Sequence, residues 1–596
     1  MNSKENPKTG SAPTQGLLRR YFPILEWGKS YNMQTATNDL VVAVIVSIML
    51  IPQSLAYAQL AGLPPEVGLY ASMAPLILYA IFGTSRSLSV GPVAVTSLMT
   101  LAAVAPIAAQ GTPEYLGAAM ALALLTGVIL IILGFLKLGF LTNFISFPVM
   151  AGLGTAVGLQ IAAGQLTPVL GIPSAGGTFL VQVISLVKNA GQINIYTASI
   201  GVPVVIFLLL VRKSMANLLT KAGLSKSLAG ILAKMGPVIA IIITILVVSM
   251  LGLDKQGVKI VGKVPAGLPG LALPPFDFEL WSKLLTPAAL IAIIGYVASI
   301  SVAQTLAAKK RQHVDPNQEL IALGAANLGA SLSGGFPVAG GFSRSIVNFE
   351  AGAETPAAGA FTAVGIALVA LFLTPLLFFL PSATLGATIF VAVLSMVNFK
   401  AVVKTYNYSP SDAIAMALTI ILTLTLGVIA GLMAGIGISL MMYLYRTSRP
   451  HIAVIGQIPG TQSFRNIGRY EDVVTSPGIA SMRIDESIYF PNARLLETQV
   501  NELVASNPEI QHFILNCSAV NAVDASGLES LKSINLRLKE GGIAFHLSEV
   551  KGPIMDSLKK TLFYQELKDR IHFTHYDAVF SIDPKLAKQT MEHIKA

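Results

Sequence analysis

Apolar runs long enough to cross a bilayer recur from Asp39 to Tyr445, separated by Gly/Pro-rich turns and brief charged loops. The clearest lie near residues 40–57, 66–82, 114–135, 140–163, 195–211, 236–253, 285–307, 357–380, 383–399 and 412–445, and each predicts a membrane helix. Segments 88–108 and 336–352 are shorter and interrupted by Gly or Pro, one in each half of the region. Paired broken segments of this kind point to a transporter site built from discontinuous helices. Both contain Pro-Val-Ala, at Pro92-Val93-Ala94 and Pro337-Val338-Ala339, a weak sign of an internal repeat. After Arg446 the pattern changes. Short β-type runs (482–490, 511–515, 543–547) alternate with amphipathic stretches (493–505, 526–539, 553–561), which predicts a small soluble α/β domain. The expected division is a polar N-terminal segment 1–36, a transmembrane region 37–446, a linker 447–477 and a C-terminal domain 478–596.

Composition agrees with the membrane reading. Of 596 residues 53% are hydrophobic and 12% charged, with a mean hydropathy of +0.68, which excludes a soluble globule of that size. A net charge of +10 suggests nucleic acid at first sight, but the basic residues fall mainly between apolar runs and read as topology signals, so no nucleic-acid partner is expected. The partner along these helices is membrane lipid. Arg212, Lys213, Lys221, Lys226 and Lys234 form one basic loop, Lys309, Lys310 and Arg311 a second, Lys400 and Lys404 a third; the positive-inside rule makes all three cytoplasmic and loop 254–283 external. The N-terminal segment, with Lys4, Lys8, Arg19 and Arg20, has no signal-peptide pattern, and an even number of spans puts both termini inside. A single cysteine, Cys517, excludes an intramolecular disulfide framework and a multi-cysteine metal site. The histidines show no ligand spacing, and the Gly-rich tracts lack a following Gly-Lys-Ser/Thr, so neither a metal, a cofactor nor a nucleotide-driven pump is implied, and no enzyme.

The stretch 333–355 carries the chemistry. Ser343 and Arg344 follow a Gly-Gly pair between two apolar segments, where a charge is expensive and usually functional. Gly334, Gly335, Pro337, Gly340 and Gly341 predict a break before Ser343 and a helix restarting there. Its first free N–H groups would point to the same space as the guanidinium, and such a place suits an anion. The same residues also fit close helix packing, with Arg344 snorkelling or paired with Glu350 or Glu354.

The run Ile51-Pro52-Gln53-Ser54-Leu55-Ala56-Tyr57-Ala58, followed by Gly62-Leu63-Pro64-Pro65, Gly68-Leu69-Tyr70 and Gly83-Thr84-Ser85-Arg86, resembles the signature of the sulfate permease (SulP) family of anion transporters, bacterial type. Ser89-Val90-Gly91-Pro92-Val93-Ala94-Val95, Asn317-Gln318-Glu319-Leu320 and Gly-Gly-Phe-Ser-Arg-Ser resemble it in the same order. Asp524-Ala525-Ser526-Gly527 resembles the helix start of the STAS domain that usually follows. The resemblance implies a polytopic α-helical protein of about fourteen segments in two inverted repeats of seven, divided into core and gate, forming a homodimer in the cell (inner) membrane. It implies a substrate site of Gln53 and Tyr57 from the first segment, Val93 and Ala94 from the third, and Ser343 and Arg344 from the tenth. Gln53, Tyr57 and Ser343 offer neutral donors and Arg344 a permanent charge. Tyr57 also fits an interface tyrosine, and Gln53 a satisfied helix break.

Two positions depart from or qualify the pattern. In Gly295-Tyr296-Val297-Ala298-Ser299, Ala298 stands where many bacterial and plant members carry a Glu or Asp, and the carboxylates of the membrane region (for example Asp39, Glu66, Glu114, Asp315, Glu319, Asp412) fall near span ends or in loops. A co-transported proton or sodium would then lack a central coupling carboxylate. Ser526 matches the phosphorylated position of related STAS proteins, yet Ser526-Gly527-Leu528-Glu529 also reads as a capping box, which is the preferred reading because a cap needs no kinase. The expected function is transport of a small inorganic anion, of the sulfate or bicarbonate class, by alternating access. The alternatives are an uncoupled exchanger or channel, a nucleobase carrier of the same architecture, which would use acidic groups rather than Arg344, and a membrane-anchored STAS signalling protein.

Overall fold

A computed structural model describes residues 19, 21–140, 146–173, 177–223, 229, 235–263, 265 and 267–592. Lys4, Lys8, Arg20, Lys226 and Lys234, and most of the segment 1–36, therefore lie outside the described residues. The chain divides into two compact units, Met1–Ser439 and Leu440–Ala596.

The first unit is helical. In order it contains α1 (Met33–Leu60), α2 (Pro65–Phe82), a two-residue strand β1 (Val90–Gly91), α3 (Ala94–Val104), α4 (Pro113–Phe135), α5 (Phe147–Leu170), α6 (Phe179–Lys188), α7 (Ile195–Leu210) and α8 (Gly236–Leu251). A second series follows: α9 (Phe278–Lys309), α10 (Pro316–Leu332), β2 (Ala339–Gly340), α11 (Phe342–Glu350), α12 (Ala357–Phe372), α13 (Ser382–Val393), α14 (Phe399–Tyr408), α15 (Pro410–Leu426) and α16 (Val428–Ser448), whose residues from Leu440 on fall in the second unit. The two series match element for element, and their packing matches too. Helix α10 packs on α4 as α2 packs on α12; α9 packs on α4 as α1 packs on α12; α13 packs on α7 as α5 packs on α15. This exchange of partners is what a repeat of seven spanning segments, with one extra short helix apiece, produces.

Several elements differ from their expected bounds. The apolar block 412–445 is two helices, because Gly427 sits at φ 102° and ψ 170°, a conformation that only glycine adopts without strain. Helix α10 was not expected as a span. Gly324, Asn327 and Gly329 dilute its hydropathy, and it needs little apolar surface because α2 and α4 cover it. The Pro-Val-Ala match is out of register as well: β1 pairs antiparallel with β2, Val90 opposite Gly340 and Gly91 opposite Ala339. Pro92-Val93-Ala94 therefore follows its strand, whereas Pro337-Val338-Ala339 leads into its own.

The second unit holds a six-stranded sheet in the order β4-β3-β5-β6-β7-β8, from β3 (Ile452–Gln457), β4 (Phe464–Asn466), β5 (Ile479–Ile484), β6 (His512–Asn516), β7 (Ala544–Ser548) and β8 (Ile571–His572). The β5-β6-β7-β8 pairings are parallel, and helices including α17 (Ala493–Ala505) and α18 (Ala525–Glu540) connect them. Leu496, Phe513, Leu515, Phe545 and Leu567 are among the side chains of its apolar core. Part of the expected linker 447–477 is built into this sheet: β3 and β4 form a hairpin around Pro459 and Gly460. Ser526 does not cap α18. The helix begins at Ala525, and the extended Asp524 is the N-cap, its Oδ1 accepting from Gly527 N at 2.7 Å. Ser526 is exposed in the first turn, two residues past the N-cap and too far in to serve.

Burial drives the pKa of His575 and of His546 down to about 3. His575 bonds Ser548 Oγ at 2.8 Å and Ser481 Oγ at 2.9 Å, and His546 bridges His512 and His572 at 3.1 and 3.2 Å. A histidine whose folded pKa is depressed contributes stability that is present above its unfolded pKa and lost as pH falls from there toward the folded value. Fragment 450–596 should therefore be less stable to urea at pH 5 than at pH 7, by on the order of 2 kcal/mol from His575 alone. An unchanged midpoint would mean that these histidines are not held neutral.

Candidate functional site

Helices α3 and α11, of 11 and 9 residues, are too short to cross a bilayer. They start from the paired strands β1 and β2, so the ladder brings the two N-termini together. Polar side chains hold this crossing. Gly341 N donates to Ser89 O at 2.9 Å, and Ser89 N to Ser345 Oγ at 2.9 Å. Gly340 N donates to Ser299 Oγ on α9 at 2.7 Å, and Asn348 Nδ2 to Ser87 O at 3.1 Å. Asn327 on α10 accepts from Val338 N at 2.9 Å and donates to Val338 O at 3.0 Å, serving as a strand partner.

Neither helix start is capped by a side chain. The N-caps are Val93 and Gly341, both extended, and the first intrahelical bonds are Ser97 N to Val93 O and Ser345 N to Gly341 O. The N–H groups of Ala94, Val95 and Thr96, and of Phe342, Ser343 and Arg344, precede those bonds and are the orphan donors of each helix start. Ala94 is buried, Val93 half-buried, and Ser343 exposed beside Phe342.

Arg344 is only 1% exposed. Its Nη1 donates to Pro92 O at 2.7 Å, which ties α11 to the entrance of α3. Its Nε and Nη2 are buried without a hydrogen-bond partner among the described residues. The expected alternative pairing with Glu354 does not occur: that carboxylate accepts from Thr35 Oγ1 at 2.9 Å and Asn38 Nδ2 at 2.5 Å. The guanidinium stands beside two glycines. A Cβ on Gly341 would stand 2.7 Å from Arg344 Cζ, and one on Gly91 3.4 Å from Nη2, so a side chain at Gly341 would push the guanidinium from its place.

Helix α1 packs on both α3 and α11. Its Pro52 has no backbone N–H to bond the Ile48 carbonyl, so the continuous helix lacks one rung of its hydrogen-bond ladder next to Gln53. Tyr57 is buried and within electrostatic range of Arg344; Gln53 is half-buried, and its Oε1 has no partner among the described residues. The structure thus brings Val93, Ala94, Ser343 and Arg344 to one crossing, with α1, the helix of Gln53 and Tyr57, beside it. Ala298 is half-buried on α9, one residue before Ser299. Ser526 lies in the other unit and has no part in this arrangement.

Sequence reasoning passed over Ser89, Ser299, Ser345, Asn327 and Asn348. Their signal is weak, since small polar residues in apolar helices usually bond their own backbone, and only the ladder reveals their partners. It also placed Glu319 at a span end. The carboxylate is fully buried near the start of α10, where Oε1 accepts from Thr84 N (2.8 Å), Thr84 Oγ1 (2.6 Å) and Ser85 N (3.1 Å), and Oε2 from Tyr79 OH (2.8 Å). It fastens the loop that leads from α2 into β1.

Among known proteins, residues 37–419 match the model of the sulfate permease family and residues 470–578 that of the STAS domain. Probable sulfate transporter 4.2 of Arabidopsis thaliana is 33% identical over 93% of this chain and 84% of its own length. A probable sulfate transporter of Mycobacterium tuberculosis is 31% identical over 92% of this chain and 96% of its own. The solved structure of the murine solute carrier 26 family member A9 anion transporter, in its inward-facing state, superposes with a TM-score of 0.86 at 23% identity, covering 98% of this chain and 97% of that one. The transmembrane domain of the cyanobacterial bicarbonate transporter BicA gives 0.58 at 22% identity, covering 67% of this chain and 98% of that one. At these identities both are likenesses of fold.

Proposed function

Because this chain belongs to the sulfate permease family, we propose that it carries a small inorganic anion across a cell membrane by alternating access, bound at the facing N-termini of α3 and α11. The observation that carries this reading is the concentration of uncompensated positive charge at one crossing. Two uncapped helix starts contribute roughly half a positive charge each. Arg344 adds a full charge with two unpartnered donors, and no carboxylate pairs with it among the described residues. An anion supplies the missing acceptor and counter-charge. Ser343, the exposed member, receives the cargo; the buried guanidinium acts from behind the helix starts and holds Pro92. Gln53 and Tyr57 complete the shell from α1. The names of the relatives, sulfate transporters, support an oxyanion cargo of the sulfate or bicarbonate class. The C-terminal domain regulates transport or docks a partner, the protein works as a homodimer, and both termini face the cytoplasm of a cell whose inner membrane it spans.

The position of Ala298 favours uncoupled or exchange transport. Accumulating an anion against a negative-inside potential requires compensating charge, at about 2.3 kcal/mol per elementary charge per 100 mV. The nearest candidate place for a titrating carboxylate is filled by a methyl group. Anion flux in proteoliposomes, run with a panel of sulfate, bicarbonate, nitrate and chloride, should follow the anion gradient and change little with imposed pH or sodium steps at clamped potential. Ala298→Glu should make uptake respond to an inward proton gradient. Strong proton-driven accumulation by the unaltered protein would show that coupling resides elsewhere.

A further inference from the structure

Helices α6 and α14 are the extra elements of the two repeats, one between α5 and α7, the other between α13 and α15. Each packs on both α5 and α15, so their places are equivalent, and inversion sets them at opposite membrane faces. Their exposed sides differ. On α6 the exposed large side chains are apolar, Leu180, Val181, Ile184 and Val187, apart from Lys188 at its end. On α14, Phe399, Val403 and Tyr406 form one exposed stripe, and Lys400 and Lys404 stand one helical turn apart beside it. Ala401, Val402 and Thr405 turn toward the protein. A surface concavity runs between the stripe and the lysines, lined by Phe399, Lys400, Val403, Lys404 and Asn407. The helix contains no acidic residue.

We infer that α14 is an anionic-phospholipid site at the membrane surface, with Phe399, Val403 and Tyr406 in the acyl boundary and Lys400 and Lys404 on the headgroup phosphate. Charge complementarity selects this occupant over a neutral lipid. A helix lying in the interface carries an apolar stripe flanked by cations, and each basic residue near an anionic surface strengthens binding by about fivefold. The cytoplasmic leaflet, where the basic loops put α14, is the negatively charged one. The equivalent helix on the other face has only Lys188, at its end. The inference rests on the membrane orientation given above and is independent of the anion site.

The test uses the full chain in nanodiscs of equimolar phosphatidylcholine and phosphatidylglycerol. Retained lipid is counted after detergent extraction, and hydrogen exchange is followed over 399–407. Lys400→Gln/Lys404→Gln should lower phosphatidylglycerol retention relative to phosphatidylcholine by roughly 25-fold and speed exchange over α14. Lys400→Arg/Lys404→Arg, which keeps both charges, should behave as the unaltered protein, and anion uptake by the Gln variant reports that the fold is intact. Equal retention and equal exchange in the Gln variant would overturn the site. Displacement of phosphatidylglycerol by inorganic phosphate would overturn it too, in favour of a free-oxyanion site.

Discussion

Arg344→Ala should insert and fold, yet lose anion uptake by about 30-fold or more. The magnitude follows from truncating a desolvated charge whose partner is the cargo, an effect of about 2–5 kcal/mol. Folding survives because the side chain makes one hydrogen bond, to Pro92 O, and leaves two buried donors without partners in the absence of cargo. Removing an uncompensated buried charge relieves a desolvation penalty as well as leaving a cavity. Arg344→Lys should rescue only part of the uptake. The ammonium keeps the charge but loses the planar fork that reaches Pro92 with one nitrogen and leaves two more donors for the cargo. Uptake and thermal melting of the three proteins, measured side by side, separate charge from fold. Unchanged uptake by folded Arg344→Ala protein would remove Arg344 from the site.

Glu319→Ala should have the largest effect on stability, about 3–5 kcal/mol, seen as a lowered melting temperature in detergent. It orphans four buried donors at once, on Tyr79, Thr84 and Ser85, and loosens the loop that leads to β1. Glu319→Gln should cost far less. One amide oxygen can keep the three donors that meet Oε1, and the Tyr79 hydroxyl can rotate to accept from the new amide group. Equal destabilisation by Ala and Gln would mean that the negative charge, rather than the acceptor geometry, holds the loop.

The break before Ser343 was legible because glycine and proline rarely cluster at membrane depth unless the helix is interrupted there, and the charge of Arg344 stood out against an apolar background. The depth of Glu319 was not legible. Its position in the chain sets it near a helix start, and only the packing of α10 against α2 and α4 puts that start inside the protein. The same packing hid α10 as a span, since a helix that meets mostly protein can carry Asn327, Gly324 and Gly329. Gly427 was hidden for the opposite reason: the residues around it are mostly apolar, and hydropathy does not register a single φ of 102°. At Ser526 the capping pattern was real in letters but shifted in register, because Asp524 two residues earlier is the stronger acceptor and already extended. Likewise β3 and β4 are too short, and too close to Pro459 and Gly460, to stand out from a linker before their sheet partners are known.

In the proposed mechanism the cargo sits where the N-termini of α3 and α11 face each other beside Arg344. The most direct test is the anomalous difference density of the protein crystallised with selenate or bromide. The account predicts a peak within hydrogen-bond distance of the backbone N–H groups that open α3 and α11, beside Ser343, that vanishes in Arg344→Ala crystals. A peak remote from both helix starts, or one that persists unchanged in the alanine variant, would contradict it.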